Sequence, residues 1–189
     1  MRKNLTSSAF IYPMPVLIVA SYDDNEVANA MNAGWGAVSG RNEIFLSLSP
    51  KHKTVKNIIS KKDFTVSIGE YEYVKSCDYV GIVSGNKVPD KLENTRFTTT
   101  KSELIDAPII NELSICLECR LKQYDFETEH LIAEVVNISI DEKILTNGKI
   151  DLQKINLLCL DAYNKTYCLM GDVVGHAFKD GQEIINKVV

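Results

Sequence analysis

The chain lacks any apolar run approaching the ~20 residues that a membrane-crossing helix needs. Its longest buried-looking stretch, Val16 to Ala20, soon meets Asp23, Asp24 and Glu26. It also lacks a basic surplus. The 21 Lys and Arg stand against 25 Asp and Glu, a formal charge of -4, so no electrostatic footprint for nucleic acid or an anionic membrane is present. Neither partner is expected. The opening MRKNLTSSAF has no apolar segment of the secretion-signal kind, and a cytoplasmic location is the expectation. Linkers, repeats and low-complexity tracts are missing, so 189 residues, 45% of them apolar, are read as a single domain over residues 1–189 with a sizeable core.

Cysteine is sparse and uneven. The five thiols (77, 116, 119, 159 and 168) are odd in number, in a chain too long to need disulfide staples, and read as reduced packing residues. The C-x-x-C at Cys116 and Cys119 lies in the alternating, β-prone "SICLECRLKQY". An odd offset along a strand sends the two side chains to opposite faces, so paired thiol chemistry fails there on geometry. With no second C-x-x-C and no His–Cys cluster nearby, no metal site is expected.

What the chain does have is strand pattern: 15–22, 43–49, 64–68, 115–124, 130–140 and 165–175. Residues 116–140 read as a long antiparallel hairpin with an exposed acidic turn, "DFETE". Two helices stand out. One spans 50–62, with Ser49 as N-cap, Pro50 in the first helical position, and Val55, Ile58 and Ile59 on one face. The other lies near 73–85 and stops at Ser84-Gly85. Strands without a repeating βα rhythm point to a barrel or sandwich with helices at its rim.

Three stretches could carry chemistry. "VANAMNAGWG", Val27 to Gly36, follows the apolar run with small and amide side chains and the chain's single tryptophan. A core strand would use branched residues, so something flat and partly polar is expected to sit against this backbone. Gly34-Trp35-Gly36 is not a dinucleotide fingerprint: Ser39 takes the third glycine's place and no βαβ unit surrounds it. "SLSPKHKT", Ser47 to Thr54, offers hydroxyls and cations at a helix start. By itself it reads first as an ordinary capped surface helix, and otherwise as a phosphate seat. "VSGNKVPDK", Val83 to Lys91, is a helix stop leading to an Asp-Lys pair, or simply a solvated loop.

Taken in order, these stretches resemble the flavin reductase-like, FMN-binding split-barrel family, which includes the flavoredoxins. The pattern comprises Pro13, Met14-Pro15-Val16, Asn29-Ala30-Met31, Trp35, "SLSPKHKT", "DFTVSI" (63–68), Ser84-Gly85 and Asp90-Lys91. It continues through Ala107-Pro108-Ile109, Leu117-Glu118-Cys119, His130 with Glu134-Val135, and Tyr167 to Gly175. The resemblance implies a mainly β, Greek-key split barrel with a few peripheral helices and a bound FMN.

It also implies roles. Asn29 would hydrogen-bond the ring or ribityl chain, Ala30 and Met31 would offer backbone and a soft surface, and Trp35 would wall the pocket, or else anchor the core. Ser47, Leu48 and Ser49 would run beside the ribityl chain toward a phosphate held at His52, Lys53 and Thr54. Ser84 and Asp90 would flank the site. Lys91 would supply a cation to the phosphate or to the reduced ring. His52 stands where many members carry an arginine, and Thr128-Glu129-His130 replaces the Gly-Asp-His of reductases. His130 is the catalytic candidate, against a plain solvent-facing histidine, whereas His176 reads as structural.

The implied activity moves electrons from NAD(P)H through FMN to free flavin, a small acceptor or a partner protein. The alternatives are a flavoredoxin-type carrier with tightly bound FMN and no nicotinamide site, and a cofactor-free barrel that would purify colourless. The resemblance further implies a homodimer, and Ile109, Ile110 and Phe126 could serve its interface or the core.

Overall fold

A computed structural model describes residues 1–5, 10–182 and 184–185. The first half runs β1 (Met14–Pro15), β2 (Leu17–Tyr22), β3 (Ala28–Ala33), β4 (Gly36–Gly40), β5 (Glu43–Ser47), α1 (Lys53–Lys61), β6 (Asp63–Ile68) and α2 (Val74–Ile82). The second half runs β7 (Thr99–Lys101), β8 (Pro108–Ile110), β9 (Ile115–Asp125), β10 (His130–Ile140), β11 (Leu145–Thr146), β12 (Lys149–Ile150), β13 (Leu158–Asp161) and β14 (Thr166–Leu169). Seven strands form the main antiparallel sheet in the order β3-β2-β6-β9-β10-β5-β4. A second sheet sets β13 between β1 and β14.

The main sheet is rolled. β3 and β5 stand five strand spacings apart, about 24 Å in a flat sheet. Yet Met31 and Ala33 of β3 share one buried cluster with Ile44 and Leu46 of β5. Phe64 and Leu131 lie inside this cluster, and Val55 and Ile58 of α1 complete it, as the helical spacing of those residues predicts. Full burial of a side chain such as Phe64 stabilises the fold by about 1.5–3 kcal/mol.

The outward face of β2 and β3 carries a second cluster, in which Ile18, Ala20 and Ala30 meet Cys77 and Val80 of α2. The run Val16 to Ala20 is therefore continuous in hydrophobicity because both its faces are covered.

"VANAMNAGWG" thus contains a strand after all. Small residues are used on β3 because α2 lies tightly against it: a Cβ on Gly81 would sit 3.0 Å from Asn32 Cβ, and Asn32 Nδ2 donates to the Cys77 carbonyl at 3.0 Å. The last expected strand ends early, at Leu169, beyond which residues 170–182 are exposed. Ile110 is core and Phe126 is 65% exposed. Among the described residues no helix is long and apolar enough to cross a membrane.

Candidate functional site

Two cavities open side by side, and Trp35 lines both. The first, about 360 Å³, lies between β3, the β5–α1 connection and the C-terminal end of α2. Of the expected residues it gathers Asn29, Met31, Trp35, Ser47, Leu48, Ser49, His52, Lys53, Thr54, Ser84 and Lys91. Its lining contains no aspartate or glutamate among the described residues.

Two expected members stay outside. Ala30 points from β3 to the opposite face and is fully buried beneath α2, a consequence of strand alternation. Asp90 is exposed and begins the short 3-10 helix Lys91–Asn94, so only its neighbour turns inward.

Asn29 and Thr54 form the floor. Asn29 Nδ2 donates to Thr54 Oγ1 at 2.6 Å; Asn29 is 3% exposed and Thr54 1%. The other amide atom, Asn29 Oδ1, has no hydrogen-bond partner among the described residues. Leaving such an oxygen dry and unpaired costs about 1–3 kcal/mol, so it is an unmatched acceptor beside the cavity. Gly85 makes room for it: a Cβ there would fall 2.2 Å from Oδ1. Gly85, Asn32 and Gly81 line the cavity without having been singled out individually, although Ser84-Gly85 marked the stretch.

The helix start is corrected. His52, not Ser49, is the N-cap of α1, and Lys53 is its first residue. Ser49 Oγ instead donates to Glu129 Oε1 at 3.0 Å, while Leu48 N–H donates to the Glu129 carbonyl at 2.9 Å. A residue 80 positions away therefore claims the hydroxyl that local sequence assigns to the helix. The amides of the first turn still face outward without intrahelical acceptors, at the positive end of the helix dipole. Burial and the Lys91 ammonium lower the pKa of His52, and Glu129 opposes them.

The lysines play different parts. Lys53 Nζ pairs with Asp23 at 3.1 Å. Lys91, 2% exposed, donates from Nζ to the carbonyls of Val80 (2.8 Å) and Val83 (2.7 Å). It thus covers the negative end of α2 where that helix meets the cavity. Burial lowers its pKa to about 8.

The second cavity, about 520 Å³, is lined by Phe10, Met14, Ala37, Phe45, His130 and others, and shares Gly34, Trp35 and Ser47 with the first. His130 begins β10 directly opposite Ser47, and its ring meets Phe45 edge-on with centroids 4.8 Å apart. The histidine is exposed and outside the polar cavity.

Trp35 is 56% exposed, so it does not anchor the core. The glycines beside it explain why. A Cβ on Gly36 would lie 2.6 Å from Leu46 Cδ2, and one on Gly34 would lie 2.8 Å from Leu160 Cδ2. The backbone is pressed inward on both sides and the indole is turned out between the cavities.

The sequence profile of the flavin reductase-like domain matches residues 8–163. The chain belongs to that family. Among solved structures it is similar to the flavoredoxin of Desulfovibrio vulgaris (Miyazaki F), with TM-score 0.91, 29% identity, and coverage of 96% of this chain and 100% of that one. The flavoredoxin from Methanosarcina acetivorans gives TM-score 0.87 and 30% identity over 97% and 99% of the two chains. Nitrilotriacetate monooxygenase component B from Bacillus cereus shares the fold, with TM-score 0.75 and 24% identity over 88% of each chain.

This family member therefore has the mainly β, split-barrel flavin reductase fold expected of it. Uncharacterized proteins of Aeropyrum pernix and Aquifex aeolicus are 23% and 26% identical to it over 112 and 97 residues. These stretches are 59% and 49% of this chain, which spans 43% and 47% of the two relatives.

Proposed function

We propose that the chain binds FMN in the polar cavity and passes electrons through it to a group seated in the apolar one. One observation carries this reading: among the described residues, a cavity lined by no carboxylate, with a helix start, His52 and Lys91 at its wall and Asn29 Oδ1 without a partner at its floor. A phosphorylated, amide-edged ring supplies what both ends need, an anion and a donor. FMN, when bound, exchanges electrons one or two at a time; the chain's residues bind and orient it.

Thr54 holds Asn29 so that its oxygen faces the cavity, while Lys91 and the first turn of α1 receive the phosphate or the charge of the reduced ring. His130 and Trp35 border the neighbouring space, where a nicotinamide or a flat acceptor is oriented. Titration with FMN tests the assignment: protein or flavin fluorescence is quenched stoichiometrically, and riboflavin, which lacks the phosphate, binds far more weakly. Equal, weak uptake of both would remove the phosphate seat and the proposal with it.

Two roles follow from the same site, reduction by NAD(P)H or carriage of electrons between proteins. The carrier role is favoured by the names of the two flavoredoxin neighbours and by Glu129, an acidic side chain tied to Ser49 just ahead of His130. Stopped-flow mixing decides between them: rapid bleaching of the flavin band by NADH or NADPH identifies a reductase, and its absence with both identifies a carrier. The protein acts as a homodimer in this proposal, which sedimentation velocity checks directly.

A further inference from the structure

The cysteine pair that sequence spacing draws attention to is not the pair that the fold brings together. Cys116 lies opposite Ser67 while Cys119 lies opposite Phe64 and joins the interior cluster, so those thiols occupy opposite faces of β9, as expected. Cys159 and Cys168, eight intervening residues apart, are instead direct cross-strand partners in the β13–β14 hairpin. Directly opposed residues of an antiparallel pair have Cα atoms about 4.5–5.5 Å apart. That falls inside the range of about 4.4–6.8 Å that a disulfide spans. The Cys168 thiol already reaches across the ladder, 3.6 Å from the Cys159 carbonyl oxygen. Cys168 is exposed whereas Cys159 is 8% exposed.

We infer that Cys159 and Cys168 form a redox-active dithiol, which a peroxide or a small disulfide converts to a cross-strand disulfide. With hydrogen peroxide the exposed Cys168 thiolate attacks one oxygen, the O–O bond breaks, and a sulfenic acid and one water result. Cys159 then attacks the sulfenic sulfur; the S–S bond forms, the S–O bond breaks and a second water leaves. Two thiols have lost two electrons and two protons to one peroxide. A small disulfide reaches the same product by two exchanges, releasing two thiols.

The location gives the modification a route to the site. β13 also pairs with β1, setting Cys159 opposite Pro15 and Leu160 opposite Met14, and both β1 residues line the apolar cavity. Leu160 is also the side chain that presses on Gly34 beside Trp35. Closing the bond tightens the hairpin that lies behind β1, and β1 forms one wall of that cavity.

Tryptic cleavage after Lys165 puts the two cysteines on separate peptides, 155–165 and 166–179, each with one thiol. The fully reduced protein, treated with stoichiometric hydrogen peroxide, alkylated and digested, is expected to yield these two peptides joined, with Cys77, Cys116 and Cys119 still alkylated. Dithiothreitol should separate them again, and Cys168→Ser should leave Cys159 alkylated after the same treatment. Cys168 is exposed, so that variant keeps its melting temperature. Cys168 ending as a sulfinic acid with Cys159 free, or any other cysteine pair appearing as the product, would overturn the inference.

Discussion

The two cavities beside Trp35 are built from opposite materials. The polar one contains buried groups fixed by hydrogen bonds: Asn29 to Thr54, and Lys91 to the carbonyls of Val80 and Val83. The apolar one adds exposed side chains with room to shift, His130 and Ile11, to the buried Met14 in its lining. Groups held in place before binding lose little entropy when a ligand arrives, which suits lasting retention. A wall of movable apolar side chains suits a visitor that must leave. Under the proposed function the contrast divides tenancy: the polar cavity would retain FMN and the apolar one would exchange its occupant.

The sharpest way to break the comparison is Lys91→Met. Charge-assisted hydrogen bonds are worth about 1.5–3 kcal/mol, so FMN affinity should fall by roughly tenfold to a hundredfold in a fluorescence titration. The melting temperature of the FMN-free protein should move little, because losing two carbonyl contacts opposes removal of a buried charge. The titration of Lys91 adds a pH signature. Its ammonium releases its proton at about 8 in the fold against 10.5 normally. FMN binding should therefore weaken as pH rises through about 8 in the natural protein and stay flat in the variant. For the FMN-free fold the sign reverses. Between those two values the unfolded chain holds the extra proton, so the Lys91 contribution to stability rises with pH. Melting curves of the two proteins across that window measure the difference.

Gly85→Ala comes next. The added Cβ would crowd Asn29 Oδ1 from 2.2 Å, and overpacking of this kind costs about 1–3 kcal/mol. Affinity for FMN should drop about tenfold, with loss of the cradle rather than of charge. Thr54→Val is milder. It keeps the shape but removes the acceptor for Asn29 Nδ2, a hydrogen bond worth about 1 kcal/mol, and should weaken FMN about fivefold. An affinity unchanged by either substitution would show that the floor of the polar cavity does not bear the ligand.

How far the site could be read from residues alone follows the same division. Asn29 stands in one stretch of local pattern and Ser47–Ser49 with Thr54 in another, and the fold brings both to one cavity. The helix starts later than local pattern indicates because Glu129, distant in sequence, takes the Ser49 hydroxyl, and no local rule reports a partner 80 residues away. β3 is not legible as a strand because Ala28 and Ala30 answer to α2 rather than to strand propensity, a tertiary demand overriding a local one. Lys91 was expected as a ligand cation; that it also covers the end of α2 depends on a loop returning, which spacing cannot show. The hairpin 116–140 was legible because its alternation and its acidic turn are both local.

The smallest expected effect on affinity is also the one that separates the cavities. His130 lies outside the lining of the polar cavity and rests edge-on against Phe45. His130→Gln keeps a hydrogen-bonding group of similar reach while removing the imidazole ring. If the polar cavity alone retains FMN, its dissociation constant should stay within about twofold of the natural value. The rate at which electrons enter or leave should fall several-fold, because the group that borders the exchanging partner has changed. Rate and affinity falling together, by the factor that Gly85→Ala produces, would mean that the two cavities act as one pocket. In that case Trp35 would lie within a single ligand site rather than between two.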